Sequence, residues 1–177
     1  MKDNPIELDH ITDFTIRLAT PTDANAIAAI YNHYIRETII TFEEEEIDVA
    51  EMLARMAEVD AAELPWFVAE RDGQVIGYAY AGKWKSRSGY RYAVEATVYL
   101  DPHAIGRGAG TALYTHLIAE VKRRGAKVVI GGVALPNPAS VALHEKMGMK
   151  KVAHFESVGY KFDTWIDVAY WQITFDD

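Results

Sequence analysis

The sequence contains no cysteine, which excludes disulfides, thiolate zinc sites and a cysteine nucleophile together. It also lacks any apolar run near the roughly 18 residues of a membrane-spanning helix. The opening MKDNPIELDHITDF has neither a basic segment nor an apolar one, so no secretory signal is expected. Glycine and proline are sparse, 12 and 6 in 177 residues, which argues against a disordered low-complexity chain. Positive charge is short as well. Eighteen Lys and Arg face 26 Asp and Glu, for a net charge of −8 and an acidic cluster at Glu43–Glu46. Phosphate backbones need a basic face, so no nucleic-acid partner is expected. These absences suggest a cytoplasmic protein that binds neither nucleic acid nor membrane.

What is present is an ordinary globular mixture, half apolar and a quarter charged, of a length suited to one domain with a real core. Residues 1–13 read as a flexible leader, and 14–177 as a single domain. A first strand runs over 14–20. Thr20, Pro21 and Asp23 then open a helix carrying Ile27, Ile30, Tyr31, Tyr34 and Ile35 on one face. A second helix starts at Asp48, with Glu51 completing a capping-box pattern and Met52, Leu53 and Met56 facing inward. WFVAERDGQVIGYAYAG reads as a hairpin about Asp72-Gly73. YAVEATVYL (92–100) is a third strand of this middle region, leading into HAIGRGAGTALY. The helix beyond carries Leu113, Tyr114, Leu117, Ile118 and Val121 on one stripe and ends at Gly125. AKVVIGGVA is a strand, NPASVALHEKMG a short helix, and the remainder two strands joined by a loop around 159–165. The order β-α-α-β-β-β-α-β-α-β-β predicts an α/β fold: a mixed central sheet with helices on both faces.

The turn with glycines at 106, 108 and 110 feeds a strand into a helix N-terminus, where free N–H groups and the helix dipole favour an anion. A Walker loop fails for want of the Gly-Lys pair, and a dinucleotide fingerprint fails because Thr111 stands where its last glycine belongs. By itself the turn is equally consistent with tight strand-to-helix packing.

Ile105-Gly106-Arg107-Gly108-Ala109-Gly110, followed by a helix, a strand and LPNPASVALHEKMG, resembles the acyl-CoA site of the GCN5-related N-acetyltransferase superfamily. Ile105 departs from the Gln or Arg usual at that position. Over nearly the whole chain from Thr15, the segments YNHYIRETIITFEEE, PWFVAERDGQVIGYAYAGKWKSRSGY, VEATVYL, TALYTHL, LHEKMG and GYKFDTWIDVAYWQ resemble the phosphinothricin acetyltransferases and the related methionine sulfoximine/sulfone enzymes. The resemblance implies an N-acetyltransferase with acetyl-CoA as co-substrate, no metal, a small amino acid-like acceptor and a homodimer.

It also implies site residues. Glu95 matches the general base, and it alternates with Val94, Ala96 and Val98 so as to face away from that apolar row; a structural ion pair is the other reading. His144 stands where the superfamily often has a tyrosine that protonates the leaving thiolate. The N–H groups from Gly106 through Arg107, Gly108, Ala109 and Gly110 to Thr111 would hold the CoA pyrophosphate. Val98, Tyr99 and Leu100 would pair with the pantetheine arm like an added strand. Asn137 would join them, or cap the helix that follows. Lys85, Arg87 and Arg91, with Tyr90, form a cationic loop suited to a carboxylate or phosphinate. Thr41, Phe42 and Glu43 would border the amine pocket. Lys161, Trp165 and Asp167 match as well, as core or dimer surface. Two other readings stand beside this one. The same fold could serve a polyamine, an aminoglycoside or a protein N-terminus, or the chain could be a CoA-binding sensor without catalysis.

Overall fold

A computed structural model describes residues 13–176; apart from Asp13, the expected leader lies outside them. The elements follow the expected order: β1 (Thr15–Leu18), α1 (Ala24–Glu37), α2 (Val49–Ala61), β2 (Trp66–Arg71), β3 (Gln74–Lys83), β4 (Ala93–Leu100), α3 (Ala109–Arg123), β5 (Val128–Leu135), α4 (Pro138–Lys146), β6 (Lys150–Lys161) and β7 (Thr164–Thr174). The strands form one seven-stranded sheet in the order β1-β2-β3-β4-β5-β7-β6, antiparallel except for the β4–β5 pair. Among the described residues no helix is long and apolar enough to cross a membrane.

Local chemistry accounts for most boundaries. The Thr20 N–H donates to Asp23 at 2.7 Å, and Pro21–Asp23 form a short 3-10 turn before α1. Asp48 caps α2 by accepting from the Glu51 amide at 2.8 Å. Glu51 does not complete the reciprocal bond; its carboxylate takes Arg55 instead. Met52 is buried, but Leu53, one step around the helix, is exposed. Asp72 and Gly73 both sit at positive φ, the conformation a two-residue hairpin requires.

The last hairpin departs from expectation. Its strands run on to a two-residue turn at Phe162-Asp163, with φ 51° and 55°, instead of ending in a loop over 159–165. Two non-glycine residues occupy left-handed positions there, so the usual Asn-Gly or Asp-Gly signal is missing.

Each sheet face buries its own apolar cluster. Leu113, Tyr114, Leu117 and Val121 of α3 meet Ala79, Ala81, Val94, Ala96 and Val129 on one face. On the other, Ile27, Tyr31, Tyr34 and Ile35 of α1 and Met52 of α2 meet Val68 and Tyr78. β4 alternates between the two, which leaves Glu95 on the side opposite α3.

Candidate functional site

The sheet is split beside Glu95. β4 and β5 pair through Ala93, Val94 and Glu95, opposite Val128, Val129 and Ile130, and then separate. β4 continues along β3 to Leu100, while β5 continues along β7 to Leu135. Beyond Glu95 each strand therefore offers a free backbone edge to the gap. The Ala96 carbonyl lies 3.2 Å from the Tyr114 hydroxyl, which places that carbonyl on the gap side. Strand alternation points the Val98 N–H and C=O the same way and turns those of Tyr99 toward β3. The Leu100 carbonyl is already taken by the Tyr34 hydroxyl at 2.7 Å.

A cavity of about 190 Å³ occupies the gap, lined by Glu95, Thr97, Tyr114, Asn137, His144 and Ile40 among others. Two adjacent glycines in β5 make it possible. A Cβ on Gly131 would overlap the His144 ring, and one on Gly132 would stand 3.4 Å from a Glu95 oxygen and 3.0 Å from the Tyr170 ring. Within a strand, such glycines mark a close approach of other groups.

Glu95 makes no ion pair or side-chain hydrogen bond among the described contacts. Burial raises its pKa above the ordinary carboxylate value, and the positive charge of Lys85 partly offsets this. His144 is 3% exposed. Its Nδ1 lies 2.7 Å from the Ser140 carbonyl, which can only accept, so Nδ1 carries the proton. Nε2 is then free to accept the Tyr114 hydroxyl at 2.9 Å. Burial lowers the His144 pKa, which keeps the ring neutral at pH 7 and this pairing intact. Burial raises the Tyr114 pKa, with the nearby Glu95 charge adding to the effect.

At the far end of β4 the chain passes through Asp101, which caps the 3-10 turn Pro102–Ala104. It then enters α3 through Gly106 and Gly108, at φ 87° and 85°. No side chain would clash there; the left-handed backbone is what calls for glycine. Gly110 lets the helix start close in, since a Cβ would sit 3.3 Å from the Leu100 side chain. Ala109, Gly110 and Thr111 are the first residues of α3, so their N–H groups lack intrahelical partners. Arg107 and Ile105 are exposed, and Arg107 stands 3.8 Å from Asp13. Asn137 caps α4 by accepting from the Ser140 amide at 3.1 Å.

Residues 16–170 match the family model described as an Acetyltransferase (GNAT) domain. The chain belongs to the GNAT acetyltransferases. A phosphinothricin N-acetyltransferase of Alcaligenes faecalis is 43% identical over 89% of this chain and 81% of its own length. The L-methionine sulfoximine/L-methionine sulfone acetyltransferase of Salmonella typhimurium is 37% identical over 92% of this chain and 95% of its own. An acetyltransferase structure from Salmonella typhimurium, solved with acetyl-CoA, superposes with a TM-score of 0.91 at 36% identity, covering 93% of this chain and 95% of that one. The acetyltransferase has what an acyl-CoA requires: unpaired N–H groups at the start of α3 for a pyrophosphate, and a free β4 edge for an extended amide-bearing arm. Among the described residues no cluster of His, Asp and Glu is arranged to hold a metal ion.

The expected acceptor residues are dispersed. Lys85 lies near Glu95 electrostatically, with its ammonium 4.6 Å over the Trp84 ring. Arg87 and Tyr90 are exposed at the two ends of a short turn, joined by the Tyr90 N–H to the Arg87 carbonyl at 2.9 Å. Arg91 lies against Tyr92 and lines a separate hollow with Val94, Val121 and Arg124, apart from the Glu95 cavity. Thr41 and Glu43 are engaged elsewhere: the Tyr31 hydroxyl meets Thr41 at 2.8 Å and donates to Glu43 at 2.8 Å, and Arg55 grips Glu43 at 2.7 and 3.0 Å. Phe42 rests on Gly159. From this segment it is Ile40 that lines the cavity.

Sequence reasoning assigned Tyr114 to the core stripe of α3 and missed its hydroxyl in the cavity. The stripe identifies the buried face of the helix but not what the tip of one side chain touches. Gly131-Gly132, in the middle of an apolar strand, was the readable signal for the approach of His144.

Proposed function

We propose that this acetyltransferase moves acetyl from acetyl-CoA directly to the α-amine of a small amino acid analogue such as phosphinothricin or methionine sulfoximine/sulfone, with Glu95 as general base. The observation that carries the proposal is Glu95 itself: a half-buried carboxylate with a raised pKa, without an ion pair or side-chain hydrogen bond among the described residues, at the point where β4 and β5 part. A base tuned upward toward neutrality is better matched to an α-ammonium, whose ordinary pKa is about 7.7–8.0. The names of the relatives support the class of acceptor.

Acetyl-CoA supplies the activated acetyl group. The start of α3 holds its pyrophosphate, and Val98 and Asn137 receive the pantetheine arm. Glu95 takes the ammonium proton, directly or through one water, and the amine adds to the thioester carbonyl. As the C–S bond breaks, its electron pair leaves on sulfur, the adduct's remaining surplus N–H proton passes to the thiolate to give CoA thiol, and Glu95 releases its proton to solvent. The Tyr114 hydroxyl, whose one proton rests on His144 Nε2, turns that O–H onto the leaving sulfur as its charge develops, and His144 acts by holding Tyr114 in the cavity, which modifies the direct acid role expected of it. Lys85 and Arg87 hold the acceptor's anionic group. With no cysteine in the chain there is no acyl-cysteine intermediate, so both substrates bind together. The cytoplasm, where acetyl-CoA is available and a cysteine-free chain is at no disadvantage, is the compartment of this reading.

The decisive experiment follows CoA thiol release with purified protein, which contributes no thiol background of its own. Phosphinothricin or methionine sulfoximine should be acetylated much faster than spermidine or kanamycin. The reversed ranking would replace the amino acid acceptor with another amine.

A homodimer is part of the same proposal. The edge strand β6 and its turn expose Val152, Phe155, Val158, Tyr160 and Phe162, and Trp165 across the turn is 65% exposed. Apolar surface of this extent on a sheet edge suits a second copy. Light scattering should give twice the chain mass, and Phe155→Glu should restore the monomer; a monomeric parent would overturn the dimer alone.

A further inference from the structure

Lys161 has no role in the chemistry above, yet at 1% exposure it is the most buried charged side chain among the described residues. It is the last residue of β6, immediately before the Phe162-Asp163 turn. Its ammonium donates to the Thr41 carbonyl at 2.8 Å and lies 5.1 Å from the Phe162 ring centroid. Burial lowers its pKa, against the attraction of Glu44 and Glu43. Two residues earlier on the same strand, the Gly159 backbone supports the Phe42 ring so closely that a Cβ would overlap it. The end of β6 therefore grips two consecutive residues of the connection between α1 and α2, one by its carbonyl and one by its ring.

That connection reaches the cavity through the preceding residue, Ile40, which forms part of the wall around Glu95. Its other attachments include Tyr31 of α1 and Tyr99 of β4, which bond Thr41, and Arg55 of α2, which bonds Glu43. Among the described residues, only the β6 grip ties it to the opposite end of the sheet. An ammonium is a poor choice for this position if stability alone is at stake, because a buried ion loses its hydration and a methionine would fill similar space without that loss. What methionine cannot do is hold a carbonyl at a fixed height.

We propose that Lys161 is a positioning residue for the acceptor pocket: by holding the Thr41 carbonyl, it fixes residues 38–47 so that Ile40 closes one wall of the Glu95 cavity. The proposal rests on the reading of that cavity as the site of acetyl transfer. Acceptor binding should respond to the far hairpin, whereas acetyl-CoA, held along β4 and the start of α3, should not.

Lys161→Met removes the donor, and Gly159→Ala displaces Phe42 while leaving Lys161 in place. Three quantities are measured for both: steady-state constants for phosphinothricin, acetyl-CoA affinity by calorimetry, and amide hydrogen exchange over residues 38–47 in the free protein. Each variant should raise the acceptor KM roughly tenfold and leave kcat within about threefold, the pattern of a lost uniform binding contribution. Acetyl-CoA affinity should be unchanged, and exchange over 38–47 should accelerate. An acceptor KM that stays at the parent value in Lys161→Met, or an acetyl-CoA affinity that weakens in step with it, overturns the proposal. If the parent acetylates neither phosphinothricin nor methionine sulfoximine, the proposed function fails, and the exchange measurement still decides the clamp: unchanged exchange in both variants rejects it.

Discussion

Two carboxylates on the same side of the sheet, Glu43 and Glu95, are treated in opposite ways by their surroundings. Glu43 accepts from both nitrogens of the Arg55 fork and from the Tyr31 hydroxyl, and these bonds hold its pKa below the ordinary value. Glu95 has no such partner, and burial pushes its pKa up. A carboxylate stabilised in its charged form is a poor proton acceptor and a good anchor. One destabilised in its charged form costs the fold something and is ready to take a proton. Neighbours alone separate the structural acid from the chemical one.

The sharpest way to break this comparison is Glu95→Gln. The side chain keeps its shape and loses the ability to accept a proton, so kcat at pH 7 should fall roughly 10²–10⁴-fold while acetyl-CoA binds normally. The deficit should shrink at alkaline pH, where solution supplies neutral amine. A variant within about threefold of the parent at pH 7 would remove Glu95 from the proton transfer.

A second test alters the cavity without touching either carboxylate. Gly131→Ala forces the His144 ring aside and with it the bond to Tyr114. Small displacements of catalytic groups cost as much as about 10²-fold, and single-turnover rates should fall toward that figure with acetyl-CoA affinity retained. An unaltered rate would mean that the Tyr114–His144 pair serves packing only.

The smallest effects are in stability, and there the two carboxylates should have opposite signs. The folded-state pKa of Glu43 is depressed, so its contribution is present above the unfolded value, about 4.3, and lost as pH falls through the folded value. Glu43→Gln should therefore destabilise the protein at pH 7 by about 1 kcal/mol, a modest figure because the pair is partly exposed, and the gap should close in acid. The folded-state pKa of Glu95 is raised, so the parent loses stability as pH rises through that value. Glu95→Gln escapes this loss and should melt higher than the parent at pH 7, with the advantage vanishing in acid. Thermal unfolding of both variants from about pH 2 to 7 checks the pair. Parallel curves would show that the environments of the two carboxylates do not differ as described.

Periodicity and turn chemistry made much of this legible in advance. The order of elements, the Asp72-Gly73 hairpin, the buried face of α1 and the side of β4 on which Glu95 stands all follow from patterns within a few residues of each other. Legibility failed where the deciding partner is distant. Glu43 sits in a run of four glutamates, and nothing in EEEE says which one an arginine twelve residues on will grip. Lys85 and Arg91 look like part of one cluster in sequence, yet Lys85 lies over Trp84 while Arg91 lies over Tyr92 and lines a separate hollow. The Phe162-Asp163 turn has no glycine to announce it.

By itself, then, the sequence determined which residues are apolar at which period, where the chain turns on glycine and proline, and that no cysteine can take part in the chemistry. Only the tertiary structure decided that β4 and β5 separate at Glu95, that Tyr114 and His144 meet in the opening, and that Lys161 reaches Thr41, 120 residues away in the chain. The physical reason is the range of the forces involved. Backbone preference and hydrophobic period act between near neighbours and are written in local order. A pKa, a cavity or a hydrogen bond across the sheet depends on what the completed fold has brought alongside.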